Sequence, residues 1–302
     1  VDANRYGYIL IASDWLGLAA LDEVFVADML ATDISDFRMV PDRCTQGMVN
    51  ALLLMRMMKG PGGRLLQDKK LWTISGAAVN IDGSQRSYFG NSQGGIMGSL
   101  YMSISTDVER GLIGVGGSPY GLLLPRSLDF AAFGDVFKVR YPNPLDVMSL
   151  LNAMQMLWDR AEPGGFIDGI TTNTHPNTPS HRVLFHYGLG DAQVSWLGCQ
   201  TLARGTGSIS MFSSNALEGN ETLFGFMNVT DDTVITEGNA IVGFDFGAPT
   251  VPFTNVPAAK ATDAHEKPRR DRHAQDMMDH FFVTGEIVNT CGGVCRNVTG
   301  TV

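Results

Sequence analysis

The sequence has no apolar stretch approaching the ~18–20 residues of a membrane-spanning helix, so no helical bilayer span is expected. Charge is scarce: Asp, Glu, Lys and Arg make up 18% of the chain while hydrophobic residues make up 44%. A usual charged share is about 25%, so neither long disorder nor a coiled coil fits. Positive charge is in the minority, with 22 basic against 31 acidic residues and a net charge of −9. Without a basic patch, a nucleic-acid backbone or an anionic membrane surface is not an expected partner. Four cysteines are too few for a disulfide scaffold. The local pair Cys291-Gly-Gly-Val-Cys295 permits a bridge, with free buried thiols as the alternative. A zinc site built from Cys291, Cys295 and His280 lacks a fourth ligand. Neither an initiator Met nor a signal peptide precedes Val1-Asp2-Ala3-Asn4-Arg5, which suggests that something upstream is removed.

What the chain has in excess is glycine, 35 of 302 residues, without collagen periodicity or a low-complexity tract. Many tight turns follow. The length suits one large α/β domain or two ordinary ones. Tyr6-Gly7-Tyr8-Ile9-Leu10-Ile11-Ala12 predicts a buried strand, and residues 46–59 predict a helix stopped by Gly60-Pro61-Gly62-Gly63. Residues 85–89 predict a strand, 96–105 a helix, 111–117 a strand, 182–187 a strand, 196–204 a helix, 240–246 a strand and 270–284 a helix. Alternating strands and helices imply a mainly parallel α/β sheet with helices on both faces. Residues 130–180 are Pro-punctuated with one apolar helical stripe and read as an insertion over the sheet. Residues 205–237 lack a clear period and read as a loop-dominated excursion.

Gly90-Asn91-Ser92-Gln93-Gly94 matches G-x-S-x-G, a pattern that arises by chance in roughly one such chain in four. Its setting is more informative. It lies between a predicted strand and a predicted helix, followed by Gly95 and Gly98, which would let the helix pack closely on the sheet. A serine on so sharp a turn needs small residues two positions away on either side. Ser92 is therefore the candidate nucleophile, and the backbone N–H of Gln93 a candidate oxyanion donor at the helix N-terminus.

Such a serine needs a base, and the base an orienting carboxylate, in the chain order Ser, acid, His. Asp191 follows a predicted strand in Tyr187-Gly188-Leu189-Gly190-Asp191, with a turn or N-cap aspartate as the alternative. Of six histidines, His175, His181 and His186 precede Asp191, while His273 and His280 fall at i and i+7 of the terminal helix. His265, in a loop after the last strand, is the candidate base, with His273 the runner-up.

These residues resemble the α/β-hydrolase superfamily, and within it serine esterases and lipases. The resemblance covers about residues 5–290 in organisation, but only the elbow Gly90-Asn91-Ser92-Gln93-Gly94-Gly95 is a specific motif; Asp191 and His265 match by position and order. It implies that Ser92 attacks a carbonyl, His265 moves the proton and Asp191 fixes the imidazole tautomer. It also implies domain parts at 1–129 (core with the elbow), 130–180 (a lid) and 181–302 (core with acid and histidine). In the family a strand followed by Asp-x-x-Gly usually lies just before the elbow strand, as Asp14-Trp15-Leu16-Gly17 does here, so the resemblance implies that the first three strands are missing. Either an N-terminal fragment of the same precursor stays associated with a processed chain, or the loop of Trp15 and Leu16 supplies the second oxyanion donor. The processed chain is the favoured expectation, because a sheet without those strands exposes a long edge.

The expected function is hydrolysis of carboxylic esters of small molecules through an acyl-enzyme, without metal or organic cofactor. An amidase or peptidase with the same triad, and a non-catalytic hydrolase-like binding subunit, are the alternatives. Trp15, Leu16, Met148 and Met154 are candidate substrate contacts, although methionines are more often core filler. The acidic charge, the Arg excess over Lys and the Cys291–Cys295 pair point to a secreted or periplasmic bacterial protein.

Overall fold

The computed structural model describes residues 2–59, 65, 73–74, 77–79, 81–207, 209–215, 224–248 and 254–296. Its main sheet contains β1 (Ser87–Asn91), β2 (Arg110–Gly114), β3 (Arg182–Gly188), β4 (Ile209–Phe212), β5 (Met227–Val229) and β6 (Asn239–Phe244). The spatial order is β1-β2-β3-β6-β4-β5, and every neighbouring pair is parallel. Thr73–Ile74 and Ala77–Ala78 form a separate two-residue antiparallel ladder. Among the described residues the longer helices are α1 (Glu23–Thr32), α2 (Met39–Met58), α3 (Gln93–Ile104), α4 (Ala131–Arg140), α5 (Pro144–Trp158), α6 (Trp196–Gly205) and α7 (Arg272–Thr284).

β2, β3, β4 and β6 bury both faces, as parallel strands covered by helices must, whereas β1 is half-buried and β5 at the far edge is largely exposed. On β3, Val183, Phe185 and Tyr187 join the core formed with α1, α2, α3, α5 and α6, whereas Leu184 points to the other side. There it meets Leu112 of β2, Val242 of β6 and Met277, Met278, Phe281 and Phe282 of α7. Burying a side chain of that size contributes about 1.5–3 kcal/mol. α7 is held at both ends: Asp271 accepts the amides of His273 and Ala274 at 2.9 and 3.2 Å, and Gly285 closes it with φ +83°.

Close packing of α3 on the sheet depends on glycine. A Cβ on Gly95 would lie 2.6 Å from the Gly114 carbonyl oxygen, and one on Gly98 would lie 2.1 Å from the Tyr88 ring. Both positions exclude any larger residue.

Three expectations are corrected. Residues 6–12 do not form a strand: a short helix, Asp2–Tyr6, is followed by irregular backbone in which Ile9, Leu10 and Ile11 are exposed. Their β propensity has no neighbouring strand to bond to among the described residues, and an extended run alone does not make a strand. Residues 205–237 contain β4 and β5, two short strands within a Gly- and Ser-rich stretch. Residues 130–180 carry two helices, α4 and α5, where one was expected. α2 begins earlier than expected and ends at Met58, while its breaker signal at residues 60–63 lies outside the described residues.

Candidate active site

β1 delivers the chain to Ser92, whose φ of +59° and ψ of −126° mark a strained turn. A non-glycine residue held there costs on the order of 1–3 kcal/mol, so the surroundings must fix it. They do: the Ser92 amide donates to the Gly114 carbonyl of β2 at 3.0 Å. The amides of Gly95 and Ile96 donate to the Ser92 carbonyl at 2.8 and 2.9 Å, so α3 starts directly behind the serine. The Gln93 N–H sits in the first turn, where an amide has no intrahelical acceptor and faces the positive end of the helix.

The flanking glycines differ in what they require. A Cβ on Gly90 would come within 2.2 Å of the Gly94 carbonyl oxygen, so only glycine fits. At Gly94 the nearest atom would be the Tyr88 hydroxyl at 3.9 Å, an ordinary van der Waals contact. The sequence pattern suggested the same need at both positions; the structure restricts it to the first.

Asp191 and His265 meet at the same edge of the sheet, past the C-terminal ends of β3 and β6. A Cβ on Gly188 would lie 2.8 Å from the Ala264 Cβ, so glycine lets the two loops approach. His265 Nδ1 lies 2.8 Å from Asp191 Oδ2, and the side chains are 2% and 1% exposed. Asp191 Oδ1 accepts the amides of Gln193 and Val194 at 2.9 and 2.8 Å. Asp263 supports the loops by accepting from the amides of Ala192 and His265 and from Gln193 Nε2.

Burial raises the Asp191 pKa above the ordinary carboxylate value, against the pull of His265 and the Val194 and Gln193 amides. Burial alone would push the His265 imidazole down. The hydrogen bond and charge of Asp191, helped by Asp263 and Asp129, outweigh it and set the pKa above its usual value. With Asp191 on Nδ1, Nε2 is the nitrogen left to exchange a proton.

The other histidines are engaged elsewhere. His273, the runner-up, has Nδ1 2.8 Å from the Thr290 carbonyl oxygen, and His181 Nε2 lies 2.8 Å from that of Ser105. His186 is buried in β3 with its ring against Phe244, and burial lowers its pKa to about 3.

Ser92 and Gln93 open onto a cavity of about 410 Å³. Its wall includes Asp129 and Gln193; the Gln193 amide donates to Asp191 Oδ1, and Asp129 lies within electrostatic reach of His265. Among the described residues the Ser92 hydroxyl makes no hydrogen bond, so the structure joins acid to histidine and leaves the serine–histidine link open. Such links are often long before substrate binds.

Of the expected substrate contacts, Met154 lines the cavity; Trp15, Leu16 and Met148 do not, and Met148 is 50% exposed. The loop after Trp15 reaches the cavity through Gly17, Leu18 and Ala19. Its amides are already used: Gly17 and Ala19 donate to Asp22 Oδ2 at 2.7 and 3.1 Å, and Leu18 donates to the Trp15 carbonyl at 2.9 Å. None of the three is aimed at an oxyanion in this conformation.

Sequence reasoning missed the aromatic wall, in which Trp158 packs on Tyr120 with ring centroids 4.3 Å apart and planes tilted by 33°, and meets Phe37 edge-on at 5.0 Å. It also missed Glu162, a fully buried carboxylate that accepts from Gln155 Nε2 at 2.8 Å and the Tyr120 amide at 3.3 Å. Burial pushes the Glu162 pKa up to about 7. No local sequence signal marks these residues, because they come from distant segments. Cys291 and Cys295 form a disulfide, with Cys44 and Cys199 free and buried. Among the described residues no helix is long and apolar enough to cross a membrane, and no three His, Cys, Asp or Glu side chains cluster as metal ligands would.

Comparison of the chain with protein-family models, with curated proteins and with solved structures finds no match in any of the three.

Proposed function

We propose that this chain is a serine hydrolase of the α/β-hydrolase type that cleaves carboxylic esters through an acyl-enzyme. One observation carries the reading: a serine at φ +59° between a parallel strand and a helix shares a sheet edge with a buried Asp–His pair at 2.8 Å. Structural turns seldom hold serine in such a conformation, and burying a carboxylate against an imidazole is costly unless the pair is used or well bonded.

In the proposed reaction His265 Nε2 takes the Ser92 proton as Oγ attacks the ester carbonyl. The oxyanion that forms is stabilised by the Gln93 N–H and the α3 N-terminus. His265 then gives the proton to the leaving alkoxide as the C–O bond breaks, leaving an acyl-serine. Water, deprotonated by His265, attacks that acyl group; collapse returns the proton to Ser92 and releases the acid. Asp191 holds the imidazole in the Nδ1–H tautomer and stabilises the imidazolium.

A second reading, a non-catalytic hydrolase-like binding subunit, is favoured by the unbonded Ser92 hydroxyl and by the occupied amides of Gly17, Leu18 and Ala19. An amidase or peptidase would use the same groups. A companion N-terminal fragment of the same precursor is the proposed partner, supported by a β1 edge that carries no strand among the described residues and by the exposed Ile9, Leu10 and Ile11. Residues 130–180, with α4 and α5, are the proposed lid. The Cys291–Cys295 disulfide suits an oxidising compartment and supports a secreted or periplasmic location. Hydrolysis of p-nitrophenyl butyrate tests the central reading: Ser92→Ala is expected to lower kcat by about 10⁶, and retained turnover would refute it.

A further inference from the structure

The cavity in front of Ser92 has a definite chemical character. Its floor is buried and apolar: Leu30, Phe37, Ile96, Tyr120, Met154 and Trp158 are each at most 7% exposed. The ionisable groups in its wall are all acidic. Asp22 is neutralised by Arg43, whose Nε donates to Asp22 Oδ1 at 3.0 Å, while Glu23 and Asp129 stand exposed at the mouth. Among the described residues no Lys, Arg or His lines it. A volume of about 410 Å³ lies in the range of pockets that hold small organic ligands, about 300–1,000 Å³.

We propose that this cavity holds the acyl group of the ester, and that it selects an uncharged hydrocarbon acyl chain of medium length over acetyl and over chains ending in a carboxylate. The inference rests on reading Ser92 as the nucleophile. The acyl group is the part of the substrate that stays bonded to Ser92 through the intermediate, whereas the alcohol must leave to solvent, so a chamber with a closed apolar floor suits the retained part. Each methylene that enters gains the free energy of burial, about fourfold in binding or in kcat/KM. A terminal carboxylate would have to pass Glu23 and Asp129 at the mouth and end on the apolar floor, where no cation among the described lining residues could pair it.

The test uses p-nitrophenyl esters of acetate, butyrate, hexanoate, octanoate and hydrogen glutarate, together with binding of methyl butyrate and methyl octanoate to Ser92→Ala, followed by tryptophan fluorescence. The expected kcat/KM rises about fourfold per methylene until the chamber is full. The glutarate ester falls at least about tenfold below hexanoate. Methyl octanoate binds Ser92→Ala more tightly than methyl butyrate by the same factor per methylene. Trp158→Ala shifts the optimum to longer chains. Glu23→Lys, at an exposed site where folding is not in question, raises turnover of the glutarate ester. A flat chain-length profile while fluorophosphonate still labels Ser92 overturns the acyl-chamber inference and leaves the hydrolase reading standing. Chain-dependent binding without labelling or turnover overturns the hydrolase reading, and with it the acyl assignment. If alkyl acetates show the chain dependence and acyl esters do not, the chamber holds the alcohol and the inference is overturned.

Discussion

Replacing Asp191 with Asn separates orientation of the imidazole from support of the fold. In the native protein Asp191 Oδ1 accepts two amides, from Gln193 and Val194, while Oδ2 faces His265 Nδ1 at 2.8 Å. In Asp191→Asn the carbonyl oxygen must stay with the two amides, because turning it would set an NH₂ group against two N–H donors. The Asn NH₂ then faces Nδ1 and can only donate, so Nδ1 must be unprotonated and the proton moves to Nε2. An imidazole in that tautomer cannot take the Ser92 proton. The expected loss in kcat is about 10⁴, or roughly 5.5 kcal/mol at 1.36 kcal/mol per decade. Stability should change far less, by about 1–2 kcal/mol, since every buried donor keeps an acceptor. Asp191→Ala is the contrast: three buried donors lose their acceptor at about 1–3 kcal/mol each, a sum comparable with the whole stability of a domain. Steady-state hydrolysis of p-nitrophenyl butyrate and urea unfolding read the two quantities. An Asn variant within tenfold of the parent kcat, or one as unstable as the Ala variant, would refute the reasoning.

Two further predictions follow from named contacts. Because the His265 pKa is raised and catalysis requires the neutral imidazole, kcat/KM should rise with pH on a limb lying above about 6.5. The linked stability has the opposite sense: protonated His265 stabilises the fold fully below the unfolded value near 6.5, and this contribution is lost as pH rises through the folded pKa. An activity limb below 6.5, or unfolding midpoints that do not fall across that window once the other groups are matched by a His265→Gln control, would contradict it. In the elbow, Gly90→Ala should cost at least about 1–3 kcal/mol and most of the activity, because its Cβ would press within 2.2 Å of the Gly94 carbonyl. Gly94→Ala, with 3.9 Å of clearance, should stay within about 1 kcal/mol of the parent and remain active. Equal effects of the two substitutions in thermal melts would show that the turn is not shaped as described.

The elbow was legible in the sequence because its determinants are local: Gly90, Gly95 and Gly98 sit within a few residues of Ser92, and each meets the strand or helix that the pattern implied. The meeting of Asp191 and His265 was legible only through chain order after successive strands. What escaped was non-local. β6 inserts between β3 and β4, a choice made by sheet packing that leaves no mark in any one segment. β4 and β5 are short and embedded in polar, glycine-rich chain, so no period distinguishes them. Ile9, Leu10 and Ile11 carry strand propensity but meet no neighbouring strand among the described residues, and propensity alone makes no strand. The cavity wall draws Phe37, Tyr120 and Trp158 from three separate stretches, each indistinguishable in sequence from ordinary core. Met148 and Met154 lie on one helix, and only the packing of α5 shows that Met154 faces the cavity and Met148 the solvent.

The central claim is that Ser92 is an activated nucleophile. Treating the protein with an alkyl fluorophosphonate, followed by intact mass and peptide mapping, tests it most directly. The account predicts one adduct per chain, located on Ser92, absent from Ser92→Ala and formed far more slowly in Asp191→Asn. A folded protein that takes up no label, or takes it up at the same rate in Ser92→Ala, would contradict it.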